Sequence, residues 1–158
     1  MPLYDVEYIC HLDYAQQEAL AKAFTNLHAE KFNTPHYFVN VRFTDVSNQL
    51  VFRGGHRRKY NRVILRTRAG SNRTNEIYIE HCHAMVTEWE RIVGNSDDES
   101  LRTVWVMGAL TTALEAGLAR PKTGEEDQWL EANKLHFKEL AEAGDEDFIE
   151  LMKELESD

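Results

Sequence analysis

The chain has 158 residues, 42% of them hydrophobic and 28% charged, enough for a single domain that buries roughly 70% of the surface of its unfolded chain. No stretch approaches the ~20 consecutive apolar residues of a membrane span, and the first residues, Met-Pro-Leu-Tyr-Asp-Val-Glu, lack the cationic start and apolar run of a secretion signal, so the expected location is the cytosol with no membrane partner. A net charge of −9 argues against a general nucleic-acid binder, and two cysteines, Cys10 and Cys82, are too few for a disulfide framework or a cysteine zinc site.

In chain order, Tyr4, Val6, Tyr8 and Cys10 alternate with Leu3, Asp5, Glu7 and Ile9, the pattern of a half-buried strand that begins at the N-terminus. Asp13 with Gln16 three residues later forms a helix-capping pair, and Leu20, Ala23, Phe24 and Leu27 recur at helical spacing to about residue 30. The stretch 33–35 ends that helix, and Tyr37, Val39, Val41 and Phe43 alternate again. A strand, a helix and a second strand imply a right-handed crossover between parallel strands.

A hairpin is expected around Gly54-Gly55, and a second copy of the unit follows it. Residues 62–67 carry Val63-Ile64-Leu65 as a strand, 74–93 read as a helix through Ile77, Cys82, Met85, Trp89 and Ile92 with Gly94 as its stop, and 103–107 form another short strand. Two such units predict one four-stranded sheet with two helices on one face. After Gly117 a Pro121-Lys-Thr-Gly124 loop leads into acidic helical stretches at about 126–143 and 145–156.

Charge is unevenly placed. Between residues 46 and 75 there is no acid, while Arg53, Arg57, Arg58, Lys59, Arg62, Arg66, Arg68 and Arg73 supply eight cations; from 125 to 158 thirteen acids face three lysines. A cationic segment in an anionic chain makes a local field suited to a small anion more than to a polymer.

Pro2 adds a chemical possibility. Initiator methionine is generally removed before a small residue, and the product carries a secondary amine whose ordinary pKa is near ~7.7–8.0; burial and nearby guanidinium groups favour its neutral, basic form. Neutral, it can accept a carbon-bound proton or attack a carbonyl.

These features together resemble the tautomerase superfamily, and within it the cis-3-chloroacrylic acid dehalogenase-like group. The matching residues are Pro2-Leu-Tyr4, Leu27-His28, Val51-Phe52-Arg-Gly54-Gly55, Arg68-Ala-Gly-Ser-Asn-Arg73, Trp105-Val106, Glu115-Ala-Gly117, and Pro121-Lys-Thr-Gly124 with Trp129. The resemblance implies an α+β, tautomerase-like fold over a single domain, 1–158, with its core at about 2–120 and an acidic helical extension at about 121–158. It implies a cofactor-free, metal-free homotrimer that uses the Pro2 amine to move a proton on a small 2-oxo or enol carboxylate.

By the same resemblance Pro2, Glu115 and Tyr4 are the catalytic candidates, and His28, Arg68 and Arg73 would bind the substrate. A guanidinium suits that task because its planar fork matches a carboxylate and stays charged. Read from the residues alone, His28 borders the apolar stripe of the first helix and can equally be a packing residue, Tyr4 can be core, and Glu115 can be an exposed turn residue. The spacing of Arg68 and Arg73 is two residues longer than the family's pair, which leaves Arg66 as a substitute for Arg68. Met107 stands where the dehalogenases carry a tyrosine and cannot replace its hydrogen bond. Haloacrylate dehalogenation or hydration is therefore the runner-up activity, and a noncatalytic trimeric scaffold is the reading from another class. His81-Cys82-His83 has the wrong helical spacing for a metal pair, and His56-Arg57-Arg58-Lys59 reads as a solvated hairpin loop rather than a nucleic-acid patch.

Overall fold

The computed structural model describes residues 1–70, 73–108, 114–115, 117–119, 121 and 124–157. Strand β1 (Leu3–Tyr8) leads into α1 (Tyr14–Phe32), a 3-10 turn (His36–Phe38) and β2 (Asn40–Asp45); the small hairpin β3 (Phe52–Arg53) and β4 (His56–Arg57) precedes β5 (Asn61–Arg66), α2 (Asn75–Ile92) and β6 (Leu101–Met107). A second hairpin, β7 (Leu114–Glu115) with β8 (Leu118–Ala119), then joins the core to α3 (Glu126–Glu142) and α4 (Glu146–Ser157). The main sheet has the order β2-β1-β5-β6. β1 runs parallel to β2 and β5 parallel to β6, while β1 and β5 meet antiparallel at the centre. This is the α+β arrangement of two crossover units expected from the sequence and from the tautomerase resemblance.

Local chemistry explains the element ends. Asp13 accepts from the Gln16 amide at 2.8 Å while the Gln16 side chain accepts from the Asp13 amide at 3.1 Å, a complete capping box at the start of α1. Asn33 closes α1 in the left-handed conformation, φ 47°, which a short polar side chain tolerates. The 52–57 hairpin turns on Gly54 and Gly55, both with positive φ, 59° and 79°, as a two-residue turn of this hand requires.

The second strand begins later than its alternation suggests. Tyr37 and Phe38 lie in the 3-10 turn, because Pro35 starts a tight turn in which Phe38 N–H donates to the Pro35 carbonyl at 3.0 Å and Val39 N–H to that of His36 at 2.9 Å. Burial reinforces the turn, since Phe38 is absorbed by a second apolar cluster rather than by the sheet.

Two cores result. The first lies between the sheet and the α1/α2 pair: Tyr4, Val6, Val63 and Leu65 from the strands, Leu20 and Phe24 from α1, and Met85 and Trp89 from α2. The second joins α3 and α4 through Phe137, Phe148, Leu130 and Leu151, and takes in Phe38 and part of Met1. The acidic extension is thus packed over the N-terminus of the chain.

Strand alternation puts Asp5, Glu7, Arg42, Arg62, Ile64, Arg66, Trp105 and Met107 on the face away from α1 and α2. There Arg42 Nε donates to Asp5 Oδ1 at 2.7 Å, Arg66 pairs with the other Asp5 oxygen, and Arg62 pairs with Glu7. Trp105 is 48% exposed and Met107 42%, with the Arg62 guanidinium 4.5 Å from the Trp105 ring centroid. Among the described residues no helix is long and apolar enough to cross a membrane.

Candidate active site

The two main helices each bury a stripe spaced four residues apart: Leu20, Phe24 and His28 on α1, and His81, Met85 and Trp89 on α2. This is narrower than the apolar pattern suggests. Leu27, Ile77 and Cys82 are only partly buried, while a histidine completes each stripe. Both histidines reach the end of the sheet where β1 starts, and between them lies the Tyr4 hydroxyl, 2.6 Å from His28 Nδ1 and 2.7 Å from His81 Nε2. All three side chains are essentially inaccessible to solvent.

Burial dominates their protonation. His28 is pushed down to about 2, by burial first and then by the nearby His81, Arg73 and N-terminal charge, and His81 is pushed down to about 4 by burial and by Lys31. Burial likewise holds the Tyr4 hydroxyl well above its ordinary value. All three are neutral near pH 7. The remaining nitrogen of His28, Nε2, is buried without a hydrogen-bond partner, an uncommon condition for a buried polar atom.

A narrow cleft of about 20 Å³ opens beside His28 and is lined by Met1, Pro2, His28, Thr34, Phe38, Thr67, Arg68, Arg73, Pro121 and Glu126. Four of the six candidates from the sequence, Pro2, His28, Arg68 and Arg73, therefore share one wall-to-wall site. Their convergence follows from chain path, since β1 begins, α1 ends and β5 ends at this edge. Pro2 is buried, its carbonyl accepts from Asn40 N–H at 3.1 Å, and its nitrogen lies in the peptide bond with Met1.

Arg73 is positioned from three sides. Its Nη1 donates to Thr67 Oγ1 at 3.2 Å, its backbone N–H donates to the Gly70 carbonyl at 3.0 Å, and its guanidinium lies 4.7 Å from the Phe32 ring centroid. Phe32 in turn packs on both His28 and His81, at 4.6 and 5.1 Å between centroids. Arg68 is tethered through its carbonyl, which accepts from the Tyr78 hydroxyl at 2.9 Å, and its Nε is buried without a partner. Among the described residues neither arginine has a carboxylate within ion-pair distance. Arg66, the alternative to Arg68, is engaged with Asp5 on the opposite face of the sheet.

Tyr4 does not line the cleft but stands behind His28. Glu115 pairs with Leu118 across the β7/β8 hairpin, and its side chain lies outside the described atoms. Met107 faces the open side of the sheet and is not part of the cleft wall. His81 and His83 diverge, one buried and the other exposed. Sequence reasoning missed His81, Thr67 and Glu126. His81 carried a usable signal, since it sits four residues before Met85 and eight before Trp89 on a buried stripe; Glu126 carried none, being one acid among many.

A wider groove between the His36–Phe38 turn and α4 is lined by Asp145, Asp147, Glu150 and Glu154 with Lys153. Its acidity opposes an anionic ligand, whereas the Arg68/Arg73 cleft favours one.

A family model described as "Putative oxalocrotonate tautomerase enzyme" matches residues 1–134. No curated protein matches the chain. A solved member of the cis-3-chloroacrylic acid dehalogenase family superposes with a TM-score of 0.65 at 22% identity, covering 89% of this chain and 99% of that one. RhCC from Rhodococcus jostii superposes at 0.62 with 18% identity, covering 83% and 96%. A fused 4-OT asymmetric trimer superposes at 0.58 with 13% identity, covering 74% and 94%.

Proposed function

Because the chain belongs to the oxalocrotonate tautomerase family, within the tautomerase superfamily, we propose that it is a cofactor-independent tautomerase that interconverts the keto and enol forms of a small 2-oxo carboxylate. The observation that carries this reading is the meeting of Pro2, the unpartnered Nε2 of His28, Arg68 and Arg73 in one buried cleft. Each supplies what the reaction needs.

With Met1 removed, the Pro2 nitrogen becomes a secondary amine in a buried, cation-rich site that favours its neutral form at working pH. Arg68 and Arg73 hold the substrate carboxylate, and Arg73 enters already oriented by Thr67 and Phe32. His28 Nε2 meets the oxygen at C2, and Pro2 takes a proton from C3 as the carbonyl becomes an enol; ketonisation runs the same steps backward. With Met1 in place the Pro2 nitrogen is an amide and cannot act as the base.

Haloacrylate hydration ranks second. It requires a water oriented beside the substrate, and Met107, which stands where the dehalogenases carry a tyrosine, faces away from this cleft and offers no hydrogen bond. The exposed Trp105 and Met107 on the open sheet face, with the trimeric assembly of the 4-OT relative, support a homotrimer in which this face is covered. Light scattering is expected to give three times the 18.3 kDa chain mass, and a monomer at micromolar concentration would refute that assembly.

The activity test uses phenylenolpyruvate. Processed protein is expected to ketonise it, and Pro2→Ala and Met1-retaining protein to lose ~10²–10⁴-fold in rate while staying folded. Equal rates for processed and Met1-blocked protein would remove Pro2 from the reaction. Chloride release from cis-3-chloroacrylate at a rate matching ketonisation would promote the second reading to first.

A further inference from the structure

The buried Tyr4 hydroxyl has one proton and two imidazole neighbours, so it donates to one ring and accepts from the other. The two arrangements differ only by the direction of the chain. In one, His28 Nδ1–H donates to Tyr4, Tyr4 donates to His81 Nε2, and His28 Nε2 presents a lone pair to the cleft. In the other, His81 Nε2–H donates to Tyr4, Tyr4 donates to His28 Nδ1, and His28 Nε2 presents a proton. His81 also forms part of the wall of a second groove, between α1 and α2, with Leu27, Glu30, Lys31, Glu80 and Ala84.

We propose that His28, Tyr4 and His81 form a neutral proton wire from the cleft to this groove, with His81 as the positioning residue that lets His28 exchange a proton with substrate without becoming charged. The proposal rests on the tautomerase reading. In enolisation, Pro2 takes the C3 proton, the C2 oxygen takes the proton of His28 Nε2, and a carbon–carbon double bond replaces the carbonyl. His28 Nδ1 then receives the Tyr4 proton, Tyr4 receives that of His81 Nε2, and His81 Nδ1 receives one from groove water. Pro2 returns its proton to solvent, and once product has left, a cleft water gives a proton to His28 Nε2 while the chain runs back and His81 Nδ1 releases one to groove water, so protons balance, both starting tautomers are restored and every ring stays neutral. Ketonisation reverses each transfer.

The need for the wire comes from the surroundings of His28. Burial and the Arg73 charge keep this ring from holding two protons near neutral pH, so a proton gained at Nε2 has to be matched by one lost at Nδ1, and Tyr4 is the group placed to take it. Tyr4 cannot keep two protons either, and His81 is its other neighbour.

His81→Gln tests the wire, because an amide can occupy the Tyr4 hydrogen bond but does not relay a proton through itself. With phenylenolpyruvate, His81→Gln is expected to lower kcat by about 10-fold or more, within the range of acid–base groups, and to leave KM little changed. Tyr4→Phe cuts the same wire, so the double variant is expected to lose no more than the worse single variant; additive losses, or a His81→Gln kcat equal to wild type, would overturn the proposal.

A readout independent of turnover uses the wild-type protein alone. Nitrogen-15 NMR of the ring nitrogens with phenylpyruvate bound is expected to show both His28 and His81 neutral and both protonated at Nε2. An imidazolium at either ring, or His81 protonated at Nδ1 while His28 is protonated at Nε2, would break the chain. Absence of ketonisation by the wild type, with this pairing of tautomers intact, would remove the proposed activity and leave the wire standing.

Discussion

Arg66 and Arg68 are two residues apart, yet one is neutralised and the other is not. Arg66 ends β5 on the open face and, with Arg42, brackets Asp5, which is only 5% exposed. Arg68 lies just beyond the strand, where alternation no longer governs direction, and joins Arg73 in a cleft whose wall includes Glu126 but where no described carboxylate lies within ion-pair distance of either arginine. The same guanidinium chemistry thus serves two ends. Where the fold supplies the anion, arginine holds the sheet face together; where no ion-pair partner is in reach, the proposed function has arginine bind the substrate carboxylate.

The contrast is broken most directly at Arg73. Arg73→Ala is expected to reduce kcat/KM for a carboxylate substrate by the equivalent of roughly 2–5 kcal/mol, the usual consequence of truncating one partner of a buried charge pair. Arg66→Ala is expected to leave kcat/KM nearly unchanged. Steady-state kinetics on both variants decides it, and equal losses would mean that the two clusters are not functionally distinct.

A second effect comes from the neutral histidines behind the cation-rich cleft. In the unfolded chain both titrate near 6.5, whereas folding lowers His81 to about 4 and His28 to about 2. The unfolded state therefore binds more protons below pH 6.5, and stability falls with pH from there until each folded value is passed. For His81 alone the loss by pH 4 is about 3 kcal/mol. Urea midpoints measured between neutral pH and pH 4 should fall less steeply for His81→Gln than for wild type. Parallel slopes would show that His81 is not held neutral by the fold.

Asp5→Ala sharpens the other half of the comparison. It strips two arginines of their shared partner, and the expected cost is about 1–3 kcal/mol of unfolding free energy from urea titration, the usual penalty for losing a buried hydrogen-bond partner. Smallest of all is Arg58→Ala, just after the 52–57 hairpin, where among the described residues the side chain donates only to the neighbouring Arg57 carbonyl, at 2.9 Å. Its expected change lies within ±0.5 kcal/mol in stability, with no change in kcat/KM.

Much of the architecture was legible in the residues because it rests on local periodicity. Alternation in 3–10 and 37–43, the Asp13/Gln16 cap, the Gly54-Gly55 turn and the helical repeat through Trp89 each act over a few residues, and together they specify two crossover units. The two C-terminal helices were legible for the same reason and fall within a few residues of their expected bounds. What alternation could not show was that Pro35 would draw Tyr37 and Phe38 out of the strand and into a second core, since that depends on aromatic partners, Trp129 and Phe148, about a hundred residues away.

The site divides along the same line. Sequence determined that an acid-free, arginine-rich segment follows a potential N-terminal amine, and that a histidine borders the first helix's apolar stripe. Only the tertiary structure decided which arginines share the cleft with Pro2, because a strand end and a loop conformation separate Arg66 from Arg68. It alone decided that Tyr4 faces two histidines, because His28 and His81 are 53 residues apart in the chain and meet only when α1 and α2 pack antiparallel on one sheet face. Local pattern specifies which surface of an element is buried; the partner that a buried polar group finds there is set by packing between elements distant in sequence.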